Sequence, residues 1–235
     1  MKNLIKKRLH ESLEMDLVES LVGEDYPSSF NMEEFKNLNK FTERVRYCDQ
    51  HLKKISSGSS RVAYMIDNEK VLKLAKNQKG LAQNDTEIRW GGDYYFEDVL
   101  AHTLENSEKD LWVEMELARK ANKAQFKAIL GYTLEDLAPF LKYIDFTQRK
   151  NDRQLSAMYS RMLNNPEGDG PSYNLDFFSE NEFASKLADF MIAADSPNGD
   201  LCRYSSYGVV NRDGKNQVVL IDFGLTGDVY DTYYS

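Results

Sequence analysis

The sequence predicts an α+β protein in which a small antiparallel sheet precedes a mostly helical region. Between residues 52 and 75, short runs rich in Val, Ile and Leu alternate with Ser, Gly, Asn and Asp, which is typical of short strands and turns. Residues 123–145 and 180–194 instead carry apolar residues at helical spacing. A final hairpin is predicted over residues 207–221, with its turn at Asp213-Gly214.

The N-terminal segment, residues 1–22, is predicted to form an amphipathic helix. Its aliphatic side chains recur every four residues and would lie along one face: Ile5, Leu9, Leu13, Leu17 and Leu21. This face either packs on the protein's own domain or serves as a docking helix for a partner. A second helical pattern follows over residues 32–52, after a break at Gly23 and Pro27.

The sheet is predicted from three strands, at Leu52–Ile55, Val62–Ile66 and Val71–Ala75, with the small-residue loop Ser56–Ser60 between the first two. After the polar residues 76–86 a helix is predicted to begin near Asp85. A further helix is predicted around Phe96–Leu104, and a strand at Leu111–Glu116.

The remaining helices are predicted at residues 123–145, 151–164 and 180–194, with a surface loop at 164–172. The last hairpin pairs residues 207–211 with 217–221 and ends in Asp222-Phe223-Gly224. A buried strand that ends in a carboxylate can hold a hard cation at a fixed point. This strand end is therefore the first candidate for a functional site.

Composition narrows the classes of function. The 235 residues carry a net charge of -8 and no dense run of Lys or Arg, so a nucleic-acid groove is not expected. The two cysteines, Cys48 and Cys202, have no CxxC partner, which argues against a zinc site or a disulfide framework. No apolar stretch approaches the length of a membrane span, and the basic N-terminus lacks a signal-peptide core. A cytoplasmic protein is expected.

Two features near the sheet suggest phosphate chemistry. The loop Ser56–Ser60 offers backbone N–H groups and hydroxyls to a phosphate, although with its single glycine it is, taken alone, more typical of a solvated hairpin loop. Lys73 stands among apolar residues on a predicted strand, where it either extends to solvent or serves as a cation inside a site. Glu87 is the candidate carboxylate to hold it, with Glu97 as the alternative.

A second carboxylate lies upstream of the hairpin. Asp200, in Asn198-Gly199-Asp200-Leu201, precedes Asp222 by 22 residues and follows a predicted helix. It could accept a proton from a hydroxyl, or it could simply belong to a Gly-Asp turn. A phosphate cradle, a lysine, a base and a metal ligand in this order are the parts that phosphoryl transfer needs.

These motifs resemble the protein kinase-like superfamily over about residues 50–228. The strand Val71–Ala75 resembles the Val-Ala-Ile-Lys strand of kinases, and Asp222-Phe223-Gly224 matches their Asp-Phe-Gly. Asn198–Leu201 is closer to the His-Gly-Asp-Leu of aminoglycoside phosphotransferases. The run that begins at Lys73 and the Leu220–Thr226 ending also resemble kinase-like proteins encoded by bacteriophages. Such a protein would work in the host cytoplasm or in the virion.

The resemblance implies a two-lobed kinase-like fold: an N-terminal helical extension over 1–49, an N-lobe over 50–118 and a truncated, mostly helical C-lobe over 119–235. It implies an ATP- and Mg²⁺-dependent phosphotransferase with a protein or small-molecule acceptor and no nucleic-acid or membrane partner. The catalytic residues would be Lys73, Asp200 and Asp222, with Asp222 and Ser205 as metal ligands. The nucleotide would be held by the following residues: Ser57, Gly58, Ser59, Ser60, Lys73, Glu87, Glu116 and Ala118.

The sequence departs from the kinase pattern in three places. Ser205 stands where kinases carry the Asn that holds a second Mg²⁺, and Asn198 stands where a histidine braces their catalytic loop. The given chain ends eleven residues after Gly224, before any Ala-Pro-Glu segment. The missing Asn and the truncated C-lobe favour the alternative of a pseudokinase that acts as a binding or structural protein, whereas the intact Lys73 and Asp222-Phe223-Gly224 favour the active phosphotransferase. Nucleotidyl transfer on the same fold is a third alternative.

Overall fold

The computed structural model describes residues 26–148 and 175–233. Its main sheet has five antiparallel strands in the spatial order β1-β2-β3-β5-β4. The strands are β1 (Lys53–Ser57), β2 (Arg61–Met65), β3 (Lys70–Ala75), β4 (Thr103–Asn106) and β5 (Trp112–Glu116). The three strands predicted between residues 52 and 75 are therefore present. The strand predicted at Leu111–Glu116 corresponds to β5, which pairs with the central strand β3.

A second, three-stranded sheet carries the predicted hairpin. Its strands are β6 (Arg119–Lys120), β7 (Tyr207–Arg212) and β8 (Lys215–Leu220), in that order. The hairpin turns at Asp213 and Gly214, which both have positive φ, 52° and 77°. Two successive residues with positive φ are what a type I′ turn requires, and Asp-Gly is a preferred pair for it. The isolated bridge between Leu100 and Leu220 then joins this hairpin to the segment before β4.

The described helices flank the two sheets. They are α1 (Met32–Asn37), α2 (Phe41–His51), α3 (Gln78–Gly91), α4 (Lys123–Leu130), α5 (Leu134–Gln148), α6 (Leu175–Glu180), α7 (Glu182–Ala193), α8 (Asn198–Leu201) and α9 (Gly227–Tyr233). Short 3₁₀ turns lie at Tyr94–Phe96 and Tyr204–Ser206. None of the helices within the described ranges is long and apolar enough to span a membrane. The predicted α+β class is confirmed.

Two apolar cores hold these elements together. The smaller core lies between the sheet and α1 and α2, and Phe35, Cys48 and Leu72 are fully buried in it. The larger core joins the other face of the sheet to the hairpin and to α4–α7 through Val113, Phe190 and further buried residues. Each large apolar side chain that is fully buried contributes roughly 1.5–3 kcal/mol relative to an exposed one. The helices α1 and α2 are therefore integral to the face of the sheet on which they pack.

Alternation along β2 explains why the sheet has two different faces. Val62 and Tyr64 point into the smaller core, whereas Arg61 and Ala63 lie on the opposite face. Ala63 is paired with Lys73 of β3, so Arg61 and Lys73 share that second face. The larger core covers only part of it, and the rest borders a cavity.

Several predicted boundaries are wrong. The helix expected to begin near Asp85 begins at Gln78, because the side chain of Asn77 accepts a hydrogen bond from the N–H of Gly80 (3.1 Å) and caps it. The helix predicted around Phe96–Leu104 is not formed: a 3₁₀ turn ends at Phe96, and β4 then pairs with β5.

Two single helices predicted from periodicity are each divided. The pattern over 32–52 is split into α1 and α2 at residues 38–40. The pattern over 123–145 is split at Gly131, whose φ of 84° ends α4. The predicted helices at 1–22 and 151–164 and the loop at 164–172 lie outside the described residues.

Candidate functional site

A cavity of about 540 Å³ opens between the main sheet and the hairpin. Its upper wall is the turn between β1 and β2, its back wall is the connection from β5 to β6, and its floor is formed by residues 200–206 and 221–222. Most of the residues that the sequence predicts as site residues border it: Gly58, Ser59, Ser60, Lys73, Glu116, Ala118, Asp200, Ser205 and Asp222. Its size suits a ligand of the dimensions of a nucleotide.

Lys73 and Glu87 form the buried centre of the site. The Nζ of Lys73 donates to both carboxylate oxygens of Glu87, each at 2.9 Å, and to the carbonyl of Ile221 at 2.6 Å. Glu87 is completely buried and the side chain of Lys73 is 13% exposed. The alternative partner, Glu97, is not among the residues that line the cavity. Because α3 begins at Gln78, Glu87 lies well inside the helix and does not serve as a first-turn dipole partner.

The charge of Lys73 is balanced by its neighbours. Burial lowers the pKa of its ammonium group, and the charge of Glu87 opposes this effect. A nearby cation, Arg61, lowers the pKa of Lys73 further. The amine of Lys73 is thus held between the carboxylate of Glu87 and the carbonyl of Ile221, and Lys73 borders the cavity.

Arg61 is a site residue that our reading of the sequence missed. Its Nη2 donates to Glu87 Oε1 (3.1 Å) and to Asp222 Oδ1 (2.8 Å), and its Nη1 lies 2.7 Å from Glu87 Oε2. The side chain is 12% exposed. Strand alternation is the signal in the sequence that points to it, because the apolar residues Val62 and Tyr64 define one face of β2 and Arg61 lies on the other.

Asp222 faces the cavity from the floor, two residues after the end of β8. Its side chain remains 68% exposed, which leaves it open to the recessed space of the cavity. Burial raises the pKa of its carboxyl, but the charges of Arg61 and Lys73 outweigh this effect, and the pKa lies below its ordinary value. The group is therefore ionised at neutral pH and available to a cation.

The donor set fits a cation that is held jointly by protein and ligand. In residues 26–148 and 175–233, no cluster of three His, Cys, Asp or Glu side chains forms a self-sufficient metal centre. Asp222 supplies one carboxylate to the cavity and Ser205 borders the same space. Mg²⁺ is commonly bound by one or two carboxylates together with phosphates and water, which matches a site of this composition.

Asp200 lies across the cavity on the short helix α8. Its carboxylate is 3.3 Å from Arg203, and its side chain is 30% exposed. The helix is fixed from both sides: the amide of Asn198 donates to the carboxylate of Asp145, and the hydroxyl of Tyr207 donates to the carbonyl of Leu201 (2.6 Å). Asn198 thus braces helix α8 through its hydrogen bond to Asp145, a contact that the sequence did not predict.

The turn over the cavity is held by its own neighbours. The N–H of Gly58 donates to the carbonyl of Arg61 (2.9 Å), and the hydroxyl of Ser60 donates to Gln83 (2.6 Å). Lys76 Nζ donates to the carbonyl of Gly58 (2.6 Å) and lies 3.3 Å from the hydroxyl of Ser57, which does not line the cavity. Of the predicted phosphate-binding hydroxyls, those of Ser59 and Ser60 both belong to residues that border the cavity, but Ser60 is buried and its hydroxyl is engaged by α3.

The connection between the two sheets forms the back of the cavity. The side chain of Glu116 accepts two hydrogen bonds from Arg212, from Nε at 3.1 Å and from Nη2 at 2.6 Å. Ala118 lies against Gly208 of β7, where a Cβ at position 208 would lie 2.4 Å from the Ala118 methyl group. Glycine at 208 therefore lets the connection approach the hairpin closely, with Ala118 bordering the cavity.

Comparisons with known proteins give a likeness of fold. No protein-family model matches the sequence, and a search of curated proteins finds no match. Similar solved structures include the streptomycin–ATP ternary complex of APH(2″)-IIa, with a TM-score of 0.33 and 14% identity over 80% of this chain and 71% of that chain. The ADP-bound aminoglycoside phosphotransferase APH(2″)-Ib has a TM-score of 0.32 and 15% identity, over 78% and 69%.

A third similar structure is the GDP complex of wild-type aminoglycoside 2′-phosphotransferase-IIIa, with a TM-score of 0.35 and 12% identity over 80% of this chain and 73% of that chain. All three of these similar structures are of aminoglycoside phosphotransferases.

Proposed function

We propose that the protein is a kinase-like phosphotransferase that uses ATP and Mg²⁺ to phosphorylate a hydroxyl group of a protein or small-molecule acceptor. The observation that carries this proposal is the pairing of Lys73 with the fully buried Glu87 inside a cavity that Asp222 also faces. An amine, a carboxylate that positions it and a second carboxylate open to a cation are the elements that orient a nucleoside triphosphate.

The residues would divide the work as follows. Lys73, oriented by Glu87, contacts the α- and β-phosphates, and the turn Gly58–Ser60 covers them. Asp222, with Ser205 nearby, would hold Mg²⁺, which would supply positive charge to the phosphates. The backbone of Glu116 to Ala118 receives the base at the back of the cavity. The positions of Lys73, Asp222, Ser205 and the turn Gly58–Ser60 on the cavity wall support these roles.

Asp200 is proposed as the base or positioning group for the acceptor. The hydroxyl oxygen of the acceptor forms a bond to the γ-phosphorus while the bond from this phosphorus to the bridging oxygen of the β-phosphate breaks. The proton of the hydroxyl passes to Asp200, and ADP leaves. Asp200 suits this role because it borders the cavity opposite the sheet and remains partly exposed next to Arg203.

Ligand binding to the folded protein provides the first test. We expect ATP with MgCl₂ to raise the melting temperature of the wild type, because a ligand at 100 times its Kd stabilises the folded state by about 2.7 kcal/mol. Lys73→Met and Asp222→Asn should reduce the shift strongly. Lys53→Met, an exposed lysine on β1, is the matched control and should retain it. An unchanged melting temperature of the wild type would overturn the proposal.

A pseudokinase is the second candidate, and one contact favours it. In the structure, Asp222 is already paired with Arg61 at 2.8 Å, so a cation must compete with a guanidinium for this carboxylate. Transfer of the labelled γ-phosphoryl group from ATP to a hydroxyl acceptor, measured with the wild type and with Asp200→Asn, separates the two candidates. A protein that binds ATP and Mg²⁺ but never releases ADP, with any of a panel of hydroxyl acceptors, would be a pseudokinase.

A further inference from the structure

Arg61 occupies an unusual position between the two carboxylates of the site. The same guanidinium contacts Glu87, which is fully buried, and Asp222, which is 68% exposed to the cavity. Glu87 already accepts two hydrogen bonds from Lys73 at 2.9 Å. Lys73 alone therefore balances the charge of Glu87, and the contact between Arg61 and Asp222 adds a second cation to the wall of the cavity.

The fold positions this guanidinium accurately. Arg61 opens β2, is paired with Ala75 of β3, and its carbonyl closes the turn by accepting from Gly58. Gly224, in the turn after Asp222, leaves space for the guanidinium, since a Cβ there would lie 3.2 Å from Arg61 Nη1 and 2.7 Å from the carbonyl of Gln83. Two separate segments of the chain thus accommodate Arg61 at the cavity.

The charges of the site predict an exchange of partners. Two cations, Lys73 and Arg61, face two carboxylates, Glu87 and Asp222, so the group is balanced without a ligand. A ligand that carries phosphates together with a cation disturbs this balance. The cation is attracted to the exposed carboxylate of Asp222, and the released guanidinium then faces the phosphates, for which its planar fork of donors is suited.

We propose that Arg61 is a phosphate-binding residue of this site, which exchanges Asp222 for the phosphates of the bound nucleotide. This inference rests on the proposed function and adds a second cation to Lys73 in the recognition of the triphosphate. The buried contact with Glu87 keeps the guanidinium at the cavity wall during the exchange, because Glu87 itself lies on the rigid helix α3.

Titrations with adenosine and with ATP plus MgCl₂, followed by calorimetry on the full chain, test the proposal. Arg61→Gln should weaken the binding of ATP by about 10- to 100-fold, the loss expected for hydrogen bonds to a charged group. The same variant should bind adenosine as the wild type does, because adenosine carries no phosphate. Arg61→Lys keeps the charge but lacks the planar fork of donors. Its affinity for ATP should lie between those of the wild type and Arg61→Gln.

The outcomes are distinguishable. Equal affinities of Arg61→Gln and the wild type for ATP would overturn the inference and leave the proposed function intact. An equal loss of adenosine and ATP affinity would also overturn it, since Arg61 would then only support the fold. Arg61→Lys, which retains a cation beside Glu87, provides the comparison if Arg61→Gln does not fold. A wild type that binds neither ligand would remove the proposed function and the inference with it.

Discussion

The two sides of the cavity are built in different ways. On the sheet side, Lys73, Glu87 and Arg61 form a network of short contacts in which the carboxylate is fully buried. On the opposite side, Asp200 and Arg203 form one contact at 3.3 Å between side chains that are 30% and 66% exposed. The sheet side is therefore arranged before any ligand arrives. The opposite side is open to solvent, which fits a surface that accepts a second substrate.

The largest contrast is expected when a carboxylate is neutralised on each side. Glu87→Gln leaves Lys73 and Arg61 beside a neutral amide in a buried position, and we expect a loss of about 3–5 kcal/mol in the free energy of unfolding. Asp200→Asn breaks only an exposed pair and should change it by about 0–1 kcal/mol. Urea unfolding at neutral pH measures both. Equal losses would remove the distinction between the two sides.

Glycine substitutions provide a second contrast. A Cβ at Gly80 would lie 2.3 Å from the carbonyl of Ser60 and 3.0 Å from the Cα of Ala75, so Gly80→Ala should force the turn over the cavity away from α3. We expect a loss of about 1–3 kcal/mol, as for other overpacked sites. Gly199, on the open side, has no neighbour within 4 Å of such a Cβ.

Gly199→Ala is the control for this change. The substitution lies in the short helix α8 and reduces the conformational freedom of the unfolded chain at this position. We therefore expect it to stabilise the protein by about 0.4–1 kcal/mol. Chemical unfolding of both variants gives the comparison. If Gly80→Ala is as stable as the wild type, the turn over the cavity is not held against α3 in the way that its contacts indicate.

The smallest effect is expected at Tyr204, which connects the open side of the cavity to α5. Tyr204 donates to Glu135 (2.7 Å) and accepts from the N–H of Leu134 (3.1 Å), so the 3₁₀ turn Tyr204–Ser206 is held against α5. The hydrogen bond from Tyr204 is the largest cause that lowers the pKa of Glu135 to about 2, from an ordinary value of 4.5. Tyr204→Phe should raise this pKa, as followed by carboxyl NMR titration.

The sign of the accompanying pH dependence follows from the lowered pKa. The contribution of Glu135 to stability is complete above its ordinary pKa of 4.5 and is lost as the pH falls toward 2. In Tyr204→Phe this acid dependence should shrink. Because the side chain of Glu135 is 55% exposed, solvent screens the effect and the change in stability should be modest. A Glu135 pKa that stays near 2 in the variant would assign the shift to another donor.

The order of motifs along the chain predicted which residues would meet. Lys73, Glu87 and Asp222 were selected from a strand, a helix and a strand end, and the fold brings all three to one cluster. Arg61 was missed although it directly follows the selected loop. Its inward orientation depends on which face of β2 packs against α1 and α2, and that choice is set by contacts between distant segments.

The wrong boundaries have similar causes. The cap of α3 at Asn77 is a local signal that the sequence contains, so the earlier start of this helix could have been predicted. The strand β4 could not be predicted in the same way. Its residues Thr103–Asn106 have little pattern of their own and become a strand by pairing with β5. The division of the chain near residues 49 and 118 stays a prediction.

The contact of Arg212 with Glu116 has a mechanical consequence. Arg212 also donates to the carbonyl of Leu100 at 3.0 Å, and the hairpin strand β8 is joined to the same segment through Leu220 and Ala101 (2.9 Å). The hairpin that carries Asp222 is thus fastened to the sheet that carries Lys73 at several points. A rotation of the sheet would carry the hairpin with it. The distance between Lys73 and Asp222 would therefore be preserved in such a motion, because these contacts hold the hairpin to the sheet.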